Sequence, residues 1–157
     1  MDMKLLGADT PELLGHIREL FREYQEFLNV DLCFQGFEQE LAALPGKYAP
    51  PKGALFLAVD GEKTAGCVAL REIAPGVCEM KRLYVRPSSR GRGLGRRLAE
   101  AAIGEGRRLG YRLMRLDTLE QLREAIGLYE SLGFRRIPSY YPNPLPGVIY
   151  WELRLTA

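Results

Sequence analysis

Histidine is nearly absent from this 157-residue chain, which has only His16. One imidazole cannot build a histidine-based metal cluster, and it argues against a Ser-His-Asp or Cys-His engine. His16 falls in a helical stretch and reads as an ordinary helix residue. Cysteine is scarce too. Cys33, Cys67 and Cys78 are odd in number and lack C-x-x-C spacing, and two of them sit in apolar strand-like stretches, so the expectation is structural thiols with neither a disulfide nor a zinc site. Residues 1–10 contain no apolar run long enough for a signal peptide or a membrane span, so a cytoplasmic protein with no membrane partner is expected. No repeat, low-complexity tract or linker interrupts the chain. With 46% hydrophobic and 27% charged residues the composition is globular, and the length suits one domain over residues 1–157.

What is present is glycine and arginine in one place. The run Arg90-Gly91-Arg92-Gly93-Leu94-Gly95 lies between a strand-like stretch ending at Val85 and a helix-like stretch reaching Leu109. Alternating glycines let the backbone approach a ligand closely, and the N–H groups that open a helix have no intrahelical partner, so an anion such as a pyrophosphate is the natural guest. Two familiar phosphate loops are excluded by spacing. A G-x-G-x-x-G needs glycine where Arg96 stands, and G-x-x-x-x-G-K-S/T needs lysine after its last glycine, where Arg96 and Arg97 follow Gly95. The plain alternative is a glycine turn leading into a helix. Charge tips the balance: residues 81–115 hold eleven basic residues against Glu100 and Glu105, a net +9, whereas the rest of the chain is −7. A patch of that sign draws an anionic ligand, whether a nucleotide-like cofactor or a nucleic acid.

Periodicity supplies the elements. A short strand is expected over residues 3–6, and Thr10-Pro11, a capping residue followed by proline, starts a helix reaching residue 29 with Leu13, Ile17, Leu20, Tyr24 and Phe27, joined by Leu14, Phe21 and Leu28, on its apolar face. A shorter helix follows over 37–44, and 31–36 reads as a loop. Asp60-Gly61 between apolar runs marks a hairpin of 54–59 with 64–70. A strand over 77–85, a helix over 93–109, a strand over 112–117, a helix over 120–132 and strands over 134–137 and 148–155 complete an α/β order.

On these residues the chain resembles the GNAT superfamily of N-acetyltransferases, which move an acetyl group from acetyl-CoA to an amine. Arg90-x-x-Gly93-x-Gly95 fits the family's Q/R-x-x-G-x-G/A signature. Ala125-Ile126-x-Leu128-Tyr129-Glu130-Ser131-Leu132-Gly133-Phe134 is similar to its C-terminal motif, in the family's order and about 30 residues further on. The resemblance implies a single α/β domain, with a mixed, mostly antiparallel sheet that splays and is flanked by helices. It also implies that the pantetheine arm of CoA lies between two separating parallel strands, against the backbone of Leu83, Tyr84 and Val85. The N–H groups of Gly91, Arg92, Gly93, Leu94, Gly95 and Arg96 then hold the pyrophosphate, with Arg90 and nearby arginines screening its charge.

Amine acetylation needs an uncharged amine and a stabilised thiolate. Glu79 lies eleven residues before Arg90, where some family members place a general-base glutamate, and strict strand alternation puts it on one face with Lys81, Leu83 and Val85. An ion-pair role beside Lys81 and Arg82 is the equal alternative. Tyr129 matches the family's tyrosine, whose hydroxyl points at the CoA sulfur. A thiol of pKa about 8.5 is a stronger acid than a tyrosine of about 10, so full proton transfer is uphill by about 2 kcal/mol, and hydrogen-bond donation to the developing thiolate is the expected role. The alternative is a core tyrosine. Many family members carry asparagine seven residues before this tyrosine, and here the position is Leu122.

For the acceptor, Phe34 and Gln35 in the first loop and Tyr140, Tyr141 and Asn143 in the last, proline-stiffened one are the candidates, against the alternative of packed connections. Neither loop has an acidic cluster suited to a polyamine or aminoglycoside. The resulting expectation is direct acetyl transfer in a ternary complex to a primary amine of a small molecule or peptide. The rivals are another acyl group, an alcohol acceptor, a nucleic-acid surface, and a CoA-binding module without catalysis. Homodimers are common in the family, and no residue here demands one.

Overall fold

The computed structural model describes residues 3–29 and 36–156. Its strands are β1 (Met3–Gly7), β2 (Ala54–Asp60), β3 (Lys63–Ala74), β4 (Val77–Val85), β5 (Leu113–Leu119), β6 (Arg135–Ile137) and β7 (Val148–Arg154). The described helices are α1 (Pro11–Leu28), α2 (Phe37–Ala43), α3 (Leu94–Arg108) and α4 (Arg123–Ser131). All seven strands form one sheet in the order β1-β2-β3-β4-β5-β7-β6, antiparallel throughout except for β4 beside β5. The mixed, mostly antiparallel α/β architecture expected from the sequence is the one observed.

Two apolar layers hold helices to the sheet. On one face Ile17, Leu20 and Phe21 of α1 and Phe37 and Leu41 of α2 pack on Leu55, Leu57, Cys67 and Ala69. On the other, Leu94, Leu98 and Ala102 of α3 and Tyr129 of α4 pack on Val68, Leu70, Met80 and Met114. β3 is covered on both faces, which is why its middle reads as an unbroken apolar run instead of alternating. Burying a leucine such as Leu98, with none of its surface exposed, contributes about 1.5–3 kcal/mol. At the start of α1 the hydroxyl of Thr10 accepts from the Leu13 N–H at 3.2 Å, and Pro11 occupies the first turn, where its missing donor costs nothing.

Three element ends differ from the periodicity, each for a tertiary reason. β3 runs on to Ala74 because Arg71 and Glu72 pair with Glu79 and Cys78 of β4. β5 extends to Leu119 because that end pairs with Val148. The helix expected from residue 120 starts at Arg123, since the Glu120 N–H is taken by the Gly147 carbonyl at 2.8 Å. Among the described residues no helix is long and apolar enough to cross a membrane.

Candidate active site

The parallel pair β4–β5 holds together over only three residues, Val77–Glu79 against Leu113–Arg115. Beyond them the two strands run on without pairing to each other, β4 to Val85 and β5 to Leu119. The wedge that opens is a cleft of about 530 Å³, walled by Leu83, Tyr84 and Val85 on one side, Asp117 and Thr118 on the other, and closed by Tyr24 and Phe27 of α1 and Tyr129 of α4.

A bulge in β4 shapes this wedge. Cys67 pairs with Tyr84 and Ala69 with Lys81, so Arg82 and Leu83 together face Val68 of β3. Arg82 takes the extra residue's place in the left-handed region, at φ 61°, a conformation that costs a side-chain-bearing residue about 1–2 kcal/mol. Its guanidinium offsets that strain: Nε and Nη2 both reach Glu40 of α2 at 3.0 Å, and the Phe37 ring lies 5.2 Å from the guanidinium carbon. The bulge corrects the expectation of simple alternation. Glu79 and Lys81 share a face with Tyr84, while Leu83 and Val85 turn to the α3 side and pack on that core.

The glycine run forms the turn from β4 into α3. Gly91 and Gly93 have φ of 82° and 74°, and nothing in the protein lies within 4 Å of where a Cβ would stand, so the space above them is open to a ligand. No side chain caps α3, whose first N–H groups are left to point outward. Leu83, Tyr84, Val85, Arg90, Gly91, Gly93, Leu94 and Gly95 all line the cleft, together with Leu122. Two side chains of the run are engaged elsewhere. The Arg92 side chain pairs with Asp60 at 3.0 Å, and the Arg96 side chain reaches the Ser131 hydroxyl. Arg90 stays at the rim, donating to the Val85 carbonyl at 2.9 Å with its guanidinium carbon 4.6 Å from the Phe27 ring.

The positive segment is therefore less exposed as a field than its sequence implies. Arg82, Arg86 and Arg115 pair with Glu40, Glu23 and Glu152, and Arg92 with Asp60, so acidic residues from the rest of the chain neutralise much of it. A nucleic-acid surface loses its main support.

Tyr129 sits at the wedge with its ring edge-on to Phe134, centroids 5.6 Å apart, and tilted on Trp151. Burial pushes its hydroxyl far above the ordinary tyrosine range, which keeps the proton on and makes it a donor. Facing it, Asp117 is one of two carboxylate residues lining the cleft among the described residues; the other, Glu124, is exposed on α4. The Tyr141 hydroxyl donates to Asp117 Oδ2, and Asn143 Nδ2 donates to that hydroxyl at 2.8 Å. Burial raises the Asp117 pKa above the usual aspartate value, against the pull of nearby Lys81.

Glu79 occupies different ground. It is 2% exposed, lies outside the cleft lining, and has both oxygens engaged: Oε1 by Arg71 Nε and Nη2 at 2.9 Å with Lys81 Nζ at 3.9 Å, Oε2 by the Tyr140 hydroxyl at 2.6 Å. Burial pushes its pKa up, but Lys81, Arg71 and Tyr140 together outweigh burial and hold it below the ordinary glutamate value. The ion-pair alternative fits this geometry better than the base.

In the last loop the Tyr140 and Tyr141 rings lie 5.3 Å apart by centroid and Asn143 donates to the Tyr141 hydroxyl. Phe34 and Gln35 lie outside the described residues. Sequence reasoning missed Asp117, Arg71, Arg115 and Tyr24. A signal existed: Arg115 and Asp117 stand two apart in β5, as do Glu79 and Lys81 in β4, and charges at every second position of a covered strand mark a buried polar face.

The model of the acetyltransferase (GNAT) family matches residues 14–134. An uncharacterised N-acetyltransferase of Schizosaccharomyces pombe is 45% identical over 157 residues, covering 99% of this chain and 96% of that protein. A GNAT-family acetyltransferase from Staphylococcus aureus superposes with a TM-score of 0.82 at 18% identity, over 99% of this chain and all of that one. An acetyltransferase of Salmonella typhimurium, solved with acetyl-CoA, gives a TM-score of 0.74 at 22% identity, over 100% and 96% of the two chains.

Proposed function

The chain belongs to the acetyltransferase (GNAT) family and is an N-acetyltransferase using acetyl-CoA; from that premise we propose that it acetylates a primary amine of a small molecule or peptide by direct transfer in a ternary complex. The observation that carries this reading is the meeting, in one wedge, of the open glycine turn, the buried Tyr129 hydroxyl and the Asp117 carboxylate.

The residues present suit acetyl-CoA. Leu83, Tyr84 and Val85 line the wedge and would offer backbone groups to the pantetheine arm, and Gly91, Gly93, Leu94 and Gly95, which line it too, would offer N–H groups to the pyrophosphate. When bound, acetyl-CoA supplies the activated acetyl group as a thioester.

An alkyl amine has a pKa near that of lysine, about 10.4, so it arrives protonated and the chain must take a proton before the nitrogen can react. Asp117 suits that task better than Glu79. It lines the wedge, and burial strengthens it as a base, whereas Glu79 is ion-paired and weakened. Tyr141, itself held by Asn143, fixes the orientation of the Asp117 carboxylate. Glu79 in this scheme anchors Arg71, Lys81 and Tyr140. Tyr129 keeps its proton and donates a hydrogen bond to the developing thiolate.

Direct transfer is favoured by the two described cysteines, Cys33 lying outside the described residues. Cys67 and Cys78 are buried, neither lines the wedge, and burial pushes the Cys78 thiol up to about 12 and that of Cys67 further, so neither thiolate is ready to accept an acetyl group. The test is thiol release from acetyl-CoA across amino acids, diamines, aminoglycosides and peptides with free N-termini. Release with at least one amine class supports the reading; acetyl-CoA binding without release on any of them overturns it.

A further inference from the structure

One side chain lies across the lane that the cleft offers to the pantetheine arm. The Arg86 N–H turns toward β3, donating to the Ala65 carbonyl at 2.8 Å, and the Val85 carbonyl, the other half of that trans peptide, therefore faces the opposite edge of β4. That is the edge which β5 has left. A backbone carbonyl stranded there needs a donor, and Arg90 supplies it, its Nε reaching the oxygen at 2.9 Å. The guanidinium carbon lies 4.6 Å from the Phe27 ring centroid and 5.9 Å from that of Tyr84, with the two rings 5.9 Å apart. Arg90 thus ties the end of β4 to α1 across the cleft mouth.

We infer that Arg90 is a clasp that selects for the diphosphate of CoA: it covers the Val85 carbonyl until phosphate draws its guanidinium away, so a thioester without phosphate binds poorly. The inference rests on the reading of this cleft as the seat of acetyl-CoA, made above.

Charge supports it. Two neighbouring arginines are matched by carboxylates, Arg86 with Glu23 at 2.6 Å and Arg92 with Asp60 at 3.0 Å. Among the described residues no carboxylate pairs with Arg90, whose contacts are the Val85 carbonyl and the two rings. It directly precedes Gly91, where the open turn for the pyrophosphate begins. Exposure agrees as well. Phe27 is 47% exposed, and among the described residues Leu6 is the only other large hydrophobic side chain so placed. A cation stacked over that ring gives the exposed apolar surface a use.

Discrimination follows from what each ligand returns to the displaced guanidinium. A pantetheine amide N–H can replace Arg90 on the Val85 carbonyl, but it leaves the guanidinium nothing except water. A diphosphate offers it two-pronged, charge-assisted hydrogen bonds, stronger than one carbonyl and two rings at an exposed rim. A ligand shifts such an equilibrium only by binding one of its states better, and only the phosphate-bearing ligand does so through Arg90.

The experiment measures binding in the absence of any amine, with acetyl-CoA by calorimetry and with S-acetylpantetheine, the same thioester arm without phosphate, by ligand-detected NMR. It is repeated with Arg90→Met, at an exposed position, and with Leu122→Trp, which narrows the cleft from the start of α4. Arg90→Met is expected to bind S-acetylpantetheine about five-fold tighter, because the Val85 carbonyl is uncovered, and acetyl-CoA about five-fold weaker, because the diphosphate has lost a cation. A side chain that only attracts phosphate changes the second value and not the first. Leu122→Trp is expected to weaken both ligands. Unchanged or weaker S-acetylpantetheine binding in Arg90→Met overturns the clasp while the cofactor reading stands; undiminished binding of both ligands by Leu122→Trp overturns the cleft as the cofactor seat, and the clasp with it.

Discussion

The two ends of the site are built on opposite principles. At the cofactor end, a contiguous stretch from Leu83 to Gly95 presents backbone groups, open glycines and a helix N-terminus, with most of its polar atoms at the surface. At the end we propose for the acceptor, side chains from β3, β4, β5 and β7 and from the loop over residues 138–147 bury a mesh of charges in which most members hold one another. The contrast is between recognising a constant ligand and a particular one. Backbone amides bind any CoA thioester and tolerate side-chain drift, whereas a buried charge cluster is specific and fragile, because each group left without its partner costs several kcal/mol.

The largest expected effect lies where the two ends meet. Asp117→Asn is expected to lower kcat by about 10²–10⁴-fold, the usual span of general base catalysis, with acetyl-CoA affinity within two-fold of the parent, read by stopped-flow turnover and calorimetry. In the parent protein kcat/KM is expected to rise with pH through the elevated Asp117 pKa, and that step to vanish in the variant. The groups facing Asp117 are Lys81, Glu79 and Arg82 of β4, Tyr24 of α1, Tyr129 of α4, Tyr150 of β7, and Tyr141 with Asn143 of the loop. Of these, only Glu79 carries a carboxyl group, and its pKa is lowered where that of Asp117 is raised.

Next is Glu79→Gln, which sharpens the acceptor end as a stability element. Leaving Arg71 and Lys81 without their shared carboxylate is expected to cost about 3 kcal/mol. In a chain of this length that lowers the melting temperature by about 6–12 °C. Because the folded pKa of Glu79 is depressed, its contribution is complete above the unfolded value of 4.5 and is lost as pH falls from there through the lowered folded value. The acid limb of a melting curve measured against pH is therefore expected to flatten in the variant.

Two smaller effects belong to the cofactor end. Tyr129→Phe is expected to reduce kcat about ten-fold with little change in acetyl-CoA affinity, since one hydrogen bond to developing charge is worth about 1.5–3 kcal/mol; equal turnover at saturating acetyl-CoA refutes the leaving-group role. Arg92→Ala is expected to change acetyl-CoA affinity less than three-fold, because its side chain is spent on a partly exposed pair with Asp60.

Legibility in the sequence follows the same division. Local patterns named the cofactor end: glycine spacing, the strand leading into it and the Tyr129 motif all lie within short windows, and β4 begins and ends where alternation put it. Non-local pairing hid the rest. The bulge at Arg82 depends on Glu40, 42 residues away, so strict alternation misassigned Leu83 and Val85 to the face of Glu79. Glu79 looked like a base because its partners Arg71 and Tyr140 are eight and 61 residues distant. Asp117 went unread because its position in the wedge depends on where β4 and β5 stop pairing, which no residue of β5 announces.

Single-turnover acetyl transfer, with acetyl-CoA pre-bound and the best amine of the panel mixed in, separates the two carboxylates most directly. Asp117→Asn is expected to bind acetyl-CoA normally and to lose the transfer step by at least 100-fold, while Glu79→Gln, compared per folded molecule, loses far less. Undiminished transfer in Asp117→Asn alongside its abolition in Glu79→Gln contradicts the placement of proton removal in the wedge and returns it to β4.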